Sequence, residues 1–203
     1  MNRLWRRADD LVTGLATMIR PGRCICAIAA AAAVGSVAAF DASASQLFKR
    51  FGDGTHAVGR DVAPGTYRTS GRNGCYWARL RSFNGSLSAI IANDNAVGPA
   101  VVTIARKDKG FETRGCGTWT SNLARITKSK TRFGQGTFII GTDIAPGTYR
   151  ARGTGCYWAR LRSFGGDLNA VIANDNPTGS TIVTINRSDR GFKSERCGTW
   201  TRV

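Results

Sequence analysis

The stretch Cys75-Tyr76-Trp77-Ala78-Arg79-Leu80-Arg81-Ser82-Phe83 decides how this chain is read, because it recurs unchanged at residues 156–164. Around it, residues 51–120 align with 133–201 at an offset of 82, which falls to 81 after a one-residue deletion near Arg72. Roughly 44 of the 69 aligned positions are identical, so the chain carries a tandem duplication. Two copies are too few for a solenoid. A unit of about 70 residues is near the lower limit for a domain that folds alone, and at that size it needs a staple.

Cysteine supplies one. Cys75 and Cys116 fall in the first copy, Cys156 and Cys197 in the second. Four cysteines allow three connectivities. Pairing within each copy lets each unit close by itself, which points to Cys75–Cys116 and Cys156–Cys197. There is no Cys-x-x-Cys and no set of histidine partners, so metal and redox roles are disfavoured.

The nonapeptide reads as a strand. Alternation sends Tyr76, Ala78, Leu80 and Ser82 to one face, and Cys75, Trp77, Arg79, Arg81 and Phe83 to the other. The Tyr/Ala/Leu face is the better core candidate, which leaves the aromatic and arginine face to be explained. Outward from it, Pro64-Gly65 and Pro146-Gly147 fit a type II turn that leads into Tyr67 and Tyr149. Asn84-Gly85, replaced by Gly165-Gly166, signals a hairpin. Residues 87–92 form an apolar run in which isoleucine favours a strand, with Asn93-Asp94-Asn95 expected to build a turn after it. Residues 101–104 and 182–185 are further strands. Six or so short strands per copy, with no helical pattern between them, predict an all-β fold: two tandem, small, disulfide-stapled sandwich or barrel domains.

The chain ahead of the copies is different. Cys24 to Phe40 is apolar and alanine-rich, Arg20 and Arg23 precede it, and Ala42-Ser43-Ala44 ends it in a small-x-small pattern. These are the parts of a secretory signal, with cleavage expected after Ala44 and no stable membrane span afterwards. Met18 would give the signal a more ordinary start. The expected organisation is a signal at 1–44, a lead-in at 45–50, β repeat 1 at 51–120, a basic linker at 121–132 and β repeat 2 at 133–203. Cleavage also removes Cys24 and Cys26, leaving the even set of four that an oxidising compartment would pair.

The charge is strongly positive. The chain carries a formal +16, and 24 basic against 10 acidic residues from Ser45 onward leave +14. Such a surface attracts anionic partners. His56 is the only histidine and is replaced by Phe138 in the second copy, which excludes a Ser–His or Cys–His site common to both units. The paired acids Asp61/Asp143, Asp94/Asp175 and Asp108/Asp189 would allow a hydrolase, but all sit beside glycine, proline or asparagine, where aspartate serves turns.

The remaining candidates are Trp77, Arg79 and Arg81, with Trp158, Arg160 and Arg162. The plain reading is packing of the tryptophans against the disulfide, with the arginines covering the core edge or pairing with Asp61 and Asp94. The functional reading is a basic aromatic face for an anionic or carbohydrate polymer, since guanidinium offers charge-assisted hydrogen bonds and a flat face.

The residues 61–67, 75–80, 90–94 and 116–119, with 143–149, 156–161, 171–175 and 197–200, resemble a repeat module of exported proteins and lipoproteins of actinobacteria. Its pattern runs Asp-Ile-x-Pro-Gly-Thr-Tyr, Cys-Tyr-Trp-Ala-Arg-Leu, Ile-Ile-Ala-Asn-Asp and Cys-Gly-Thr-Trp. The resemblance implies an extracytoplasmic, disulfide-bonded β module and implies no activity. This chain departs from it in lacking a lipobox and in its basic charge. We therefore expect a secreted, non-enzymatic protein of the envelope or extracellular space, with no catalytic set, no metal and no cofactor, binding an anionic or carbohydrate polymer. The alternatives are a protein-interaction or inhibitor module and a hydrolase; export weighs against nucleic acid.

Overall fold

The computed structural model describes residues 49–71 and 74–203. The signal expected at residues 1–44 lies outside the described residues. Repeat 1 supplies β1 (Arg50–Phe51), β2 (Gly54–Ala57), β3 (Gly65–Thr69), β4 (Cys75–Leu80), β5 (Ile90–Ala96), β6 (Ala100–Ile104), β7 (Gly110–Arg114) and β8 (Trp119–Thr120). Repeat 2 supplies β9 (Arg132–Phe133), β10 (Gly136–Ile139), β11 (Gly147–Arg152), β12 (Tyr157–Leu161), β13 (Val171–Asp175), β14 (Ser180–Ile185), β15 (Gly191–Glu195) and β16 (Trp200–Arg202). Each repeat is a pair of four-stranded antiparallel sheets, ordered β1-β8-β3-β6 with β2-β7-β4-β5, and β14-β11-β16-β9 with β10-β15-β12-β13.

The sheets close on an aromatic core. In repeat 1, Phe51 sits 5.1 Å from Tyr67 and 5.7 Å from Phe111, edge to face. Phe133, Tyr149 and Phe192 repeat the arrangement at 5.1 and 5.8 Å. Four of the aromatic polar groups find partners inside the fold, while Trp77 Nε1 and Trp158 Nε1 are buried without one. Trp119 Nε1 donates to Thr113 Oγ1 and Trp200 Nε1 to Ser194 Oγ. The Tyr67 hydroxyl donates to the Ala63 carbonyl and Tyr149 to Ala145, so the Ala-Pro-Gly-Thr-Tyr motif ties each tyrosine to the bend four residues before it. The disulfides are Cys75–Cys116 and Cys156–Cys197, each within one repeat.

Three sequence expectations change. The Pro64-Gly65 and Pro146-Gly147 steps are not type II turns: Gly65 and Gly147 have φ near +156° and +153°, far from the roughly +80° that such a turn needs. The 87–92 run divides into a 3-10 turn, Leu87–Ala89, and β5, and Asn93-Asp94-Asn95 lies inside β5 rather than in a turn. On β4 the Cys75/Trp77 face joins the aromatic core, while Ala78 and Leu80 of the expected face are buried on the other side, outside that cluster. Arg79 pairs across with Phe111 and Trp77 with Thr113, so Cys75, Trp77 and Arg79 face the opposite sheet. The disulfide draws its cysteine inward, and with period-two alternation Trp77 follows.

The two repeats form one compact body. Strands β5 and β6 are edge strands, and repeat 2 lies against them. Thr137 N donates to Pro99 O at 2.7 Å, Thr103 N to Phe164 O at 2.8 Å, and Lys193 Nζ to Asp94 Oδ1 at 2.7 Å. Arg68 and Asp143 join the repeats by a bidentate ion pair at 3.1 and 2.6 Å, with Arg68 only 3% exposed and Asp143 fully buried.

Candidate anion groove between the repeats

Trp77 and Arg79 do not form an open face. Trp77 is 3% exposed and stacks on Phe111 at 6.2 Å. Arg79 is 4% exposed, and its partner is neither Asp61 nor Asp94 but Asp108, at 2.7 Å from Nε and 2.9 Å from Nη2. Its third nitrogen, Nη1, donates to Gly165 O of repeat 2 at 2.6 Å. Trp158 is half-buried on Phe192 at 6.2 Å, and Arg160 grips Asp189 at 2.7 and 3.0 Å. That bond to Asp189 holds the Arg160 guanidinium above its ordinary value, against the opposing effect of burial. Arg81 and Arg162 are exposed and lie beyond the ends of β4 and β12, past a bulge at Arg79/Leu80 and at Arg160/Leu161 that ends the alternation.

Arg79 and Arg160 each act on a turn. Asp108 also accepts from Ala105 N at 2.8 Å, and Asp189 from Asn186 N at 2.9 Å. Lys109 N donates to Leu80 O and Arg190 N to Leu161 O, both at 2.8 Å. Each Arg–Asp fork therefore fixes the β6–β7 or β14–β15 turn beside the end of the central strand. The turns carry Arg106, Lys107 and Lys109 in repeat 1, and Arg187 and Arg190 in repeat 2, all exposed. Neighbouring Arg81 and Arg162 complete two basic clusters.

The repeat 2 cluster opens on a groove of about 670 Å³ between the repeats. Arg162, Arg187 and Arg190 line it with the hydroxyl-bearing Thr66, Thr103, Ser163 and Ser188, over apolar Leu123, Ile140 and Phe164. Cationic forks, hydroxyls and an apolar floor suit a sugar or an anionic group. Sequence reasoning missed Arg187 and Arg190 because they lie outside the repeated nonapeptide. The signal available was the basic content of both turns around the shared Asp108 and Asp189.

The other acids are already committed. Asp61 accepts from Arg60 and from Ala57 N, and these bonds hold its carboxyl down to about 2. Burial pushes the Asp94 carboxyl up, against the pull of Lys193. Lys193 stays above its ordinary value because Asp94 and Glu195 outweigh its own burial. Five of the six aspartates of the alternative hydrolase reading, Asp61, Asp94, Asp108, Asp143 and Asp189, are thus engaged with cations, while Asp175 is exposed and accepts from Asn176 N.

The sequence pattern of the Rv1352-like extracellular domain matches twice, at residues 49–120 and 130–201. Three mycobacterial proteins are 32% identical over 82 residues, an alignment that covers 34% of this chain and 67% of each relative. They are "Uncharacterized protein Mb1387" of Mycobacterium bovis, and "Uncharacterized protein MT1395" and "Uncharacterized protein Rv1352" of Mycobacterium tuberculosis. Among the described residues, no helix is long and apolar enough to cross a membrane.

Proposed function

This chain belongs to the Rv1352-like extracellular domain family, and from that premise we propose that it is a non-enzymatic module that binds an anionic polymer at the cell envelope. The observation that carries the reading is the convergence of Arg162, Arg187 and Arg190 on the groove between the repeats. The Arg160–Asp189 fork sets the turn in advance, so little side-chain and loop freedom remains to be lost on binding. Repeat 1 adds a second basic turn, and two linked clusters on one polymer raise avidity without a new contact. The ligand is a phosphate- or carboxylate-bearing polymer, with the hydroxyls and the apolar floor receiving its sugar or backbone units.

Titration with polyphosphate and with polygalacturonate over a range of salt tests this. Affinity falls steeply with salt, because each arginine that contacts the polymer releases counterions. The double variant Arg187→Ser/Arg190→Ser flattens the salt dependence and weakens binding at least ~10-fold, while Arg152→Ser, outside the groove, does neither. Binding that is indifferent to salt, or equal for both variants, overturns the reading.

A further inference from the structure

We propose that the open side of repeat 2 is a docking site for repeat 1 of a second copy of this chain, seated as repeat 2 is seated on repeat 1 within one copy.

The internal junction is a plug in a socket. The socket is the side of repeat 1 between edge strands β5 and β6, floored by Trp77 and Val101. The plug is the hairpin at residues 163–166. Phe164 O accepts from Thr103 N, Gly165 O accepts from Arg79 Nη1, and Gly166 lies so close to the Trp77 ring that a Cβ there would be 2.4 Å from it.

Both halves of this junction are duplicated, and among the described residues the duplicates are unused. In repeat 2 the same side lies between β13 and β14, and no described residue covers it. Ile182 is 54% exposed where its counterpart Val101 is 4% exposed. Thr184, counterpart of Thr103, is exposed. Arg160 keeps its fork on Asp189, but its Nη1 lacks the carbonyl acceptor that Arg79 has.

In repeat 1 the counterpart plug, residues 82–85, differs from 163–166 only in Asn84 for Gly165. Gly85 has φ +72° where Gly166 has +76°, so the hairpin is already in the docking conformation. Phe83 is 56% exposed, and Thr55 is exposed where its counterpart Thr137 is buried in the junction.

Among its described residues, one chain thus carries one filled junction, one free socket and one free plug. Such an interface is heterologous: it propagates head to tail until a ring closes or a filament grows. Charge sets its strength. The counterpart of the Arg68–Asp143 pair is Arg150 with Asp61, which is again complementary. The counterpart of Lys193–Asp94 is Glu112 facing Asp175, which is repulsive, although Arg114 two residues along supplies the cation. The external junction is therefore weaker than the internal one, which also has the tether's effective concentration, of order mM.

The test is sedimentation-equilibrium mass measurement on the natural exported protein up to ~1 mM, in salt that screens its net positive charge. The wild type associates with concentration, and Glu112→Lys tightens that association several-fold. Ile182→Glu blocks the socket and Thr55→Glu blocks the plug; both sites are exposed, and unchanged unfolding midpoints verify the fold. Each variant alone is monomeric, and an equal mixture forms a dimer that grows no further, since each supplies the half the other lacks. A wild type that stays monomeric throughout, including one whose own N-terminal residues cover Ile182, overturns the proposal. So does association that survives either substitution, or a mixture that fails to dimerise.

Discussion

Substituting Asp143 with alanine removes the carboxylate that ties the two repeats together. Asp143 is fully buried and accepts from Arg68 Nη1 at 3.1 Å, Arg68 Nη2 at 2.6 Å, Ile139 N at 2.8 Å and Ile126 N at 3.1 Å. Its loss leaves the Arg68 guanidinium inside the protein, held only by the Ala124 carbonyl, with Nε already lacking a protein acceptor. Removing one partner of a buried pair costs about 3–5 kcal/mol. With a urea dependence of about 2 kcal/mol per M, the unfolding midpoint falls by roughly 1.5–2.5 M. Asp61 occupies the same position in repeat 1 and also accepts from a backbone amide, Ala57 N, at 2.8 Å, but its cation is the exposed Arg60. Asp61→Ala therefore moves the midpoint far less. Replacing both partners, as Arg68→Met with Asp143→Leu, recovers most of the loss, because it buries no uncompensated charge. The assay is urea unfolding followed by fluorescence, to which Trp119 in repeat 1 and Trp200 in repeat 2 both contribute. Equal midpoint shifts for Asp143→Ala and Asp61→Ala would refute the reasoning.

Serine at both Cys75 and Cys116 lowers stability by about 4 kcal/mol on the chain-entropy account of a loop this long; denaturant midpoints with and without reductant check it. Gly166→Ala destabilises more than Gly85→Ala: both have positive φ, but only the first drives a Cβ into Trp77, as thermal midpoints will show. Carbon-detected NMR is expected to place the Asp61 titration midpoint at about 2. Its folded value lies below the unfolded one, so its stabilising contribution is present above about pH 4 and lost as pH falls through about 2.

The duplication, the all-β class and the within-repeat disulfides were legible in the sequence, because each rests on spacing: the offset of 82, the glycine-bounded short runs, and one pair of cysteines per copy. The face of the central strand was not. Arg79 counted against the inward face because a lone guanidinium is costly to bury, and the carboxylate that makes burial tolerable, Asp108, lies 29 residues away. The groove was hidden for a different reason. Nearly identical segments have unlike surroundings, as Val101 and Ile182 show, because one copy packs on the other and the reverse contact is not made. No periodicity within a repeat encodes that.

The Arg160–Asp189 fork separates a positioning role from a binding one, and a conservative substitution can tell them apart. Arg160→Lys keeps the charge but cannot reproduce two parallel bonds at 2.7 and 3.0 Å to one carboxylate. Losing one charge-assisted bond costs about 1.5–3 kcal/mol, shared between stability and the order of the turn that holds Arg187 and Arg190. If Arg160 only sets that turn, polymer binding weakens while its salt dependence keeps the wild-type slope, since no contacting charge is gone. If Arg160 itself touches the polymer, Arg160→Ala flattens the slope as Arg187→Ser does. Arg160 is not among the residues that line the groove, which supports the first outcome. A flattened slope for Arg160→Ala with the turn intact would move Arg160 from the scaffold into the site.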